Sequence, residues 1–140
     1  MVTPCVPSSF GDIVTAIGIV QSIYKALSDS TGSSPEYTRL IEDLRSFEDA
    51  LCLIYDTLQT TPLSKSLCRA IEEETTRCLK LLRKFSRRIE RYEVVLSRRW
   101  TAIWRKVTWA IWKIPEVESF RWKLSRHQRN ITSFMDGLQL

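Results

Sequence analysis

The chain is poor in the residues that build tight turns, metal clusters and catalytic centres. Its 140 residues include four glycines, five prolines and a single histidine, His127. So few glycines leave little room for hairpins or phosphate-binding loops, and four cysteines without a CxxC pair argue against a zinc site. No nucleophile–base arrangement is recognisable, and no apolar run reaches the ~18 residues of a membrane span. We therefore expect no enzyme, no metal, no cofactor and no small-molecule substrate.

The length and composition of the chain predict a single domain, residues 1–140, with a basic second half. The first 60 residues carry three bases and eight acids, whereas residues 61–140 carry 18 bases and eight acids. Such a chain can pair its halves internally, present a basic face to an anionic partner, or do both. The N-terminus has no basic segment of the secretory type, which predicts a cytoplasmic protein, with peripheral contact at membranes as an extension. Its cysteines are then expected to be reduced core fillers.

Apolar spacing predicts an all-α fold, an up-and-down four-helix bundle. The first helix begins near Ser9 and ends near Asp29, and apolar residues recur at intervals of three and four over about 35–59, 62–97 and 115–138. Proline is favoured at the first helical position, where its missing N–H is not needed, so Pro35, Pro62 and Pro115 are taken as helix starts.

A tryptophan-rich connector, residues 98–114, is expected between the third and fourth helices, with a short helix near 104–112. An aromatic contact is predicted from this connector and from one tryptophan of the last helix: Trp100, Trp104, Trp109, Trp112 and Trp122. Trp122 faces away from the apolar seam of the last helix, so we expect it to pack against the connector tryptophans instead of contacting solvent.

Two helical surfaces are candidate binding sites. The first helix is apolar over about 240° of its circumference, and its central residues form a candidate contact with a membrane or partner: Ile13, Ile17, Ile19, Val20 and Ile23. The third helix carries a basic stripe opposite its apolar seam, a candidate contact with an anionic surface: Lys80, Arg83, Lys84, Arg87, Arg91 and Arg98. The alternative for the stripe is a solvated helix face, partly paired with Glu90, Glu93 and acids of the first half.

Two further sites have structural interpretations. His127 lies at the edge of an apolar seam with no acid or cysteine nearby in sequence, so we interpret it as a core histidine hydrogen-bonded to a neighbour. Residues Glu72, Glu73 and Glu74 point three ways around a helix and are expected to form a solvated face.

Several segments resemble a known fungal domain. They are SFGDI (9–13), IYKAL (23–27), SSPEY (33–37), LRSFEDAL (44–51), WRKxxWxxW (104–112) and FRWKLSRH (120–127). Together they make the chain similar to the HeLo-like N-terminal domain, which precedes NACHT-type and other STAND receptors, and precedes ubiquitin-like domains in mushroom-forming fungi. The resemblance implies a bundle whose N-terminal helix can be released to damage membranes when a downstream sensor oligomerises.

The sequence thus favours a non-enzymatic signalling module, an effector-like domain of a fungal innate-immunity or cell-death protein. It would act through self-association, protein partners or membrane contact. The alternative is a stand-alone protein that binds anionic lipid or nucleic acid through the basic stripe. Nucleic acid is the less favoured ligand, because helix-turn-helix, zinc-finger and RNA-binding signatures are all missing.

Overall fold

Four helices make up the regular structure of the described residues. The computed structural model describes the backbone of residues 7–31, 35–97 and 102–138, and the side chains of Pro35 and of residues 10–28, 38–90 and 115–137. The helices are α1 (Pro7–Thr31), α2 (Pro35–Thr60), α3 (Lys65–Ser97) and α4 (Ala102–Leu138). The predicted all-α four-helix bundle is confirmed.

Successive helices run in opposite directions, but the bundle is not arranged in chain order. Phe10 near the start of α1 contacts Tyr55 near the end of α2, and Glu74 and Phe85 of α3 contact His127 and Phe120 of α4 respectively. The helix α1 packs against α2 and α3, and α4 packs against the same two helices. Within the described residues α2 and α3 do not pack against each other, so the loop between them crosses the end of the bundle diagonally.

The core is one continuous apolar cluster to which every helix contributes. Phe47 of α2 is its largest fully buried side chain, and Phe85 and Phe120 stack across the α3–α4 seam with ring centroids 4.0 Å apart. The α1 residues at the centre are spaced by three and four: Ile13, Ala16, Val20, Ile23 and Leu27. This spacing places all five on one stripe, which α2 and α3 cover.

Of the three prolines expected to begin helices, only Pro35 does so. The helix α3 starts at Lys65, three residues after Pro62. Ser64 caps it, because the Ser64 hydroxyl accepts the Leu67 N–H at 3.2 Å and the Ser64 carbonyl accepts the Cys68 N–H at 3.0 Å. The start of α3 is therefore set by the Ser64 cap and not by Pro62.

The prediction of a long connector before α4 was wrong. The backbone is helical from Ala102 onwards, and Pro115 lies inside the helix instead of at its start. Residues 102–114 contain neither glycine nor proline, so no residue in that stretch ends a helix. Residues 98–101, which include Arg98 and Trp100, lie outside the described residues, as do the side chains of Arg91, Trp104, Trp109 and Trp112.

Candidate functional site

The basic stripe of α3 is exposed as its spacing predicts. Lys80, Arg83, Lys84 and Arg87 are all exposed, while Leu82 and the other apolar residues between them face the core. Together with Arg88 these four side chains line a shallow depression that has no acidic residue in its wall.

These cations have no acidic partner among the described side chains. In the part of the chain whose side chains are described, no carboxylate forms an ion pair with Lys80, Arg83, Lys84 or Arg87. Four like charges along about two turns of helix create a local positive potential that attracts anions. These four exposed side chains agree with the solvated face of the alternative interpretation. In the described residues none of them pairs with Glu90 or with an acid of the first half, and the side chain of Glu93 lies outside those residues.

The positive surface continues from α3 onto α4. Arg88 forms an ion pair with Glu116 at 2.7 Å, and beside it Lys84 of α3 and Lys123 of α4 line one groove above the Phe85–Phe120 stack. A second groove shares Lys123 and is lined further along by other basic residues and a tryptophan: Arg77, Trp122 and Arg126. We call this continuous surface the basic α3–α4 face, and it comprises Arg77, Lys80, Arg83, Lys84, Arg87, Arg88, Lys123 and Arg126.

Trp122 lies at the edge of the basic α3–α4 face and contacts solvent. It is 60% exposed, and the Arg126 guanidinium lies over its ring at 5.8 Å from the centroid. The prediction that Trp122 avoids solvent was wrong. Since the backbone of α4 is continuous, the position of Trp112 lies about 15 Å and that of Trp104 about 27 Å from Trp122 along the helix axis, and the side chains of both lie outside the described residues.

The candidate contact residues of α1 lie mostly in the core. Ile13, Val20 and Ile23 are fully buried, and Ile17 and Ile19 are partly buried. Residues Phe10–Ser28 are long and apolar enough to cross a membrane, with a mean hydropathy of 1.2, but a buried core helix passes the same test. In the folded bundle, therefore, Ile13, Val20 and Ile23 are not available to a partner, whereas Ile17 and Ile19 keep part of their surface exposed.

A polar cluster is buried where α3 meets α4. The side chain of Glu74 is 4% exposed, and His127 Nδ1 contacts its Oε1 atom. Asn130 donates to the same oxygen at 3.2 Å, and Arg77 donates to Oε2 at 3.4 Å. The prediction of a hydrogen-bonded core histidine is confirmed.

The prediction of a solvated face was wrong for Glu74. This residue lies three positions after buried Ile71 and four before buried Cys78, so the seam spacing itself turns it inward. This spacing could have indicated that Glu74 is buried. It was overlooked because glutamate is usually exposed.

Cys78 completes this cluster. The ligand atoms of Glu74, Cys78 and His127 all lie within 4.8 Å of one another. Burial and, to a lesser extent, the charge of Glu74 raise the pKa of the Cys78 thiol to about 12. The thiol is therefore protonated at neutral pH and is not the thiolate that nucleophilic catalysis requires.

The cysteines do not share one role. Cys78 is buried and free, Cys52 is exposed and free, and Cys68 is disulfide-bonded. The expectation that all four are reduced core fillers was therefore wrong for Cys52 and Cys68. A disulfide depends on which residues the fold brings together, which the cysteine spacing did not reveal.

No family model, curated protein or solved structure matches this chain. The resemblance to the HeLo-like domain stays a prediction.

Proposed function

We propose that this chain is a non-enzymatic helical module that docks peripherally on anionic membrane surfaces through its basic α3–α4 face. The observation that carries the proposal is a group of cations on α3 that are exposed and form no ion pair within the described residues: Lys80, Arg83, Lys84 and Arg87. A basic side chain near an anionic bilayer contributes about 1 kcal/mol of attraction, so four of them would strengthen membrane partitioning roughly 1,000-fold.

Trp122 supports a membrane as the ligand. Tryptophan favours the level of the lipid headgroups, where its ring is partly apolar and its N–H can still find a polar partner. Trp122 lies beside Arg126 at the edge of the basic α3–α4 face, where it could enter the headgroup region while the cations contact phosphates. Single-stranded nucleic acid binding usually uses several aromatics interleaved with the cations, whereas the cations of α3 have no exposed aromatic among them in the described residues.

Docking through this face leaves the bundle intact. Ile13, Val20 and Ile23 of α1 are in the core, so a membrane contact made by α1 would first have to expose them. Release of α1, which the HeLo-like resemblance implies, is therefore a separate event that would follow docking. In that scheme the module is a signalling or effector domain, and peripheral docking brings it to the membrane on which it acts.

Co-sedimentation with liposomes tests the proposal. We expect the protein to sediment with vesicles containing phosphatidylserine but not with vesicles of phosphatidylcholine alone, and the binding to weaken as salt is added. Changing Lys80, Arg83, Lys84 and Arg87 together to Gln should abolish this binding. The melting temperature should be nearly unchanged, because all four side chains are exposed.

A matched variant separates a specific face from overall charge. Lys25, Arg39, Arg45 and Lys65 are also exposed and are not part of the face, so changing them to Gln removes the same number of charges. We expect this control to keep most of its binding. Equal losses in the two variants would show that only net charge matters. A gel-shift assay tests nucleic acid as the ligand. Nucleic acid would be favoured if the wild type shifts an oligonucleotide and the variant of the four α3 cations does not.

The proposed location is the cytoplasmic face of a membrane, where anionic lipids are concentrated. The disulfide of Cys68 is unusual in a reducing compartment. The redox state of Cys68 in the cell can be tested by lysing cells in acid and alkylating the free thiols immediately afterwards. A labelled Cys68 would agree with the cytoplasm, and an unlabelled Cys68 would contradict it.

A further inference from the structure

The buried cluster on the α3–α4 seam has the composition of a zinc site. Glu74 and Cys78 are four residues apart on α3 and so lie one turn apart on the same face, while His127 approaches them from α4. Carboxylate oxygen, thiolate sulfur and imidazole nitrogen are the three protein ligand types of Zn²⁺, whereas Ca²⁺ and Mg²⁺ prefer oxygen alone.

The separations of the ligand atoms suit a tetrahedral ion. Zinc bonds of about 2.0–2.3 Å place tetrahedral ligands roughly 3.3–3.6 Å apart. The ligand atoms of Glu74, Cys78 and His127 already lie within 4.8 Å of one another, so small side-chain rotations bring them to these distances. An ion would separate the directly contacting Glu74 and His127 and draw the Cys78 sulfur inward.

The charges of the cluster also suit a divalent cation. A thiol that coordinates Zn²⁺ is deprotonated outright. One carboxylate, one thiolate and a neutral imidazole then balance the two charges of the ion, which leaves a buried site with no net charge.

The surroundings supply the other parts of a metal site. Asn130 and Arg77 both donate hydrogen bonds to Glu74, and outer-shell donors of this kind orient a ligating carboxylate. Glu74 and His127 also line the groove that contains Trp122 and Lys123. This groove provides an entry path for the ion and room for a water molecule as a fourth ligand.

We propose that Glu74, Cys78 and His127 bind one Zn²⁺ that links α3 to α4. The proposal does not depend on membrane docking, since none of the three ligands belongs to the basic α3–α4 face. The metal would hold the two helices that carry that face in one fixed register.

Cobalt(II) and zinc titrations test the site. The protein is freed of metal with a chelator and kept without thiol reductants, which would compete for the metal and reduce the disulfide. One equivalent of Co²⁺ should give a thiolate-to-cobalt charge-transfer band and the intense visible bands of tetrahedral cobalt. Zn²⁺ should bleach both with a dissociation constant of about 1 µM or lower, and should raise the melting temperature as its concentration rises.

Variants identify the ligands. Cys78→Ala should abolish the charge-transfer band, whereas Cys52→Ala, which removes the exposed free thiol, should leave it intact. Cys78→Ser, which keeps the size of the side chain, should abolish it as well, and its circular dichroism spectrum should match that of the wild type. Asn130→Ala should weaken zinc binding by about 10–100-fold through the lost hydrogen bond to Glu74.

Two results would overturn the proposal. The first is the absence of a charge-transfer band at one equivalent of Co²⁺ in folded wild-type protein, which would leave the cluster as a buried histidine–carboxylate pair. The second is a band that survives Cys78→Ala and disappears in Cys52→Ala, which would assign the metal to a surface thiol.

Discussion

The α1–α2 seam and the α3–α4 seam of the same bundle are built differently. Between α1 and α2 the buried side chains are apolar, among them Val20 and Phe47. In the described residues the only buried polar side chains are Glu74 and Thr75, both on α3. Thr75 bonds the carbonyl of Ile71 in its own helix at 2.7 Å, so of these two side chains only Glu74 depends on another helix.

This difference gives the two seams different roles: one mainly stabilises the fold, and the other fixes the relative position of its two helices. Apolar seams gain free energy in proportion to the area they bury, and a shifted packing can recover much of it. A slip of one turn between α3 and α4 would instead take Glu74 away from His127 and Asn130 and leave a buried carboxylate without its partners. We infer that the α1–α2 seam supplies most of the stability, while the α3–α4 seam fixes the relative position of its helices.

The outer surfaces of the two halves differ in charge. The helix α2 exposes Glu42, Asp49 and Asp56, whereas α3 exposes the basic stripe. Arg121 of α4 pairs with Asp43 of α2 at 2.5 Å, so the halves do share a charge contact. The internal pairing that the charge distribution allowed therefore occurs, and the presentation of a basic face to an anionic partner stays a prediction.

The largest effect is expected from damage to the apolar seam. Phe47→Ala removes a fully buried ring from the core and should lower the free energy of unfolding by about 3–5 kcal/mol. Urea denaturation followed by circular dichroism measures this loss. Leu53→Ala, at a nearby exposed position of α2, is the control and should change stability by less than about 0.5 kcal/mol. A loss below about 2 kcal/mol for Phe47→Ala would show that the seam repacks.

A slightly smaller loss is expected from the polar seam. His127→Ala removes the partner of buried Glu74 and should cost about 3 kcal/mol, because the carboxylate keeps only Asn130 and Arg77. Replacing both partners, Glu74→Leu with His127→Leu, should restore most of that loss. These urea denaturations are made in metal-free protein. A double variant as unstable as His127→Ala would contradict the explanation by an unpaired charge.

A gain in stability is expected at the proline of α4. Pro115 lies inside the helix, where it removes a backbone hydrogen bond and crowds the carbonyl four residues earlier. Pro115→Ala should raise the free energy of unfolding by up to about 3 kcal/mol and increase the helical circular dichroism signal. Pro35→Ala, at a true helix start, is the control and should give no gain. The same lack of gain at Pro115 would mean that α4 begins there.

Part of the apolar core could be predicted from the sequence. The partner of buried Glu74 could not, because the contact joins residues far apart in the chain. Spacing by three and four was sufficient to indicate the buried seam of α2, because it depends only on helix geometry, whereas the apolar arc of about 240° on α1 did not single out its buried stripe. Proline gave the start of α2 but not those of α3 and α4, since proline is compatible with a first turn without requiring one. The burial of Glu74 depends on His127, 53 residues further along the chain, and no local pattern contains that partner.

The smallest effect is expected on the outer surface of α1, away from the seam. Nothing lies within 4 Å of a Cβ atom added at Gly18, so Gly18→Ala meets no steric obstacle. It should raise the free energy of unfolding by about 0.5–1 kcal/mol, because alanine loses less backbone entropy than glycine when a helix forms. Gly137 is equally open but lies next to the end of α4, so Gly137→Ala should give a smaller gain. Urea denaturation at two protein concentrations measures both. A loss at Gly18 that grows with protein concentration would show that a second copy of the chain covers this surface, because the added methyl group would then disturb an interface instead of entering open solvent.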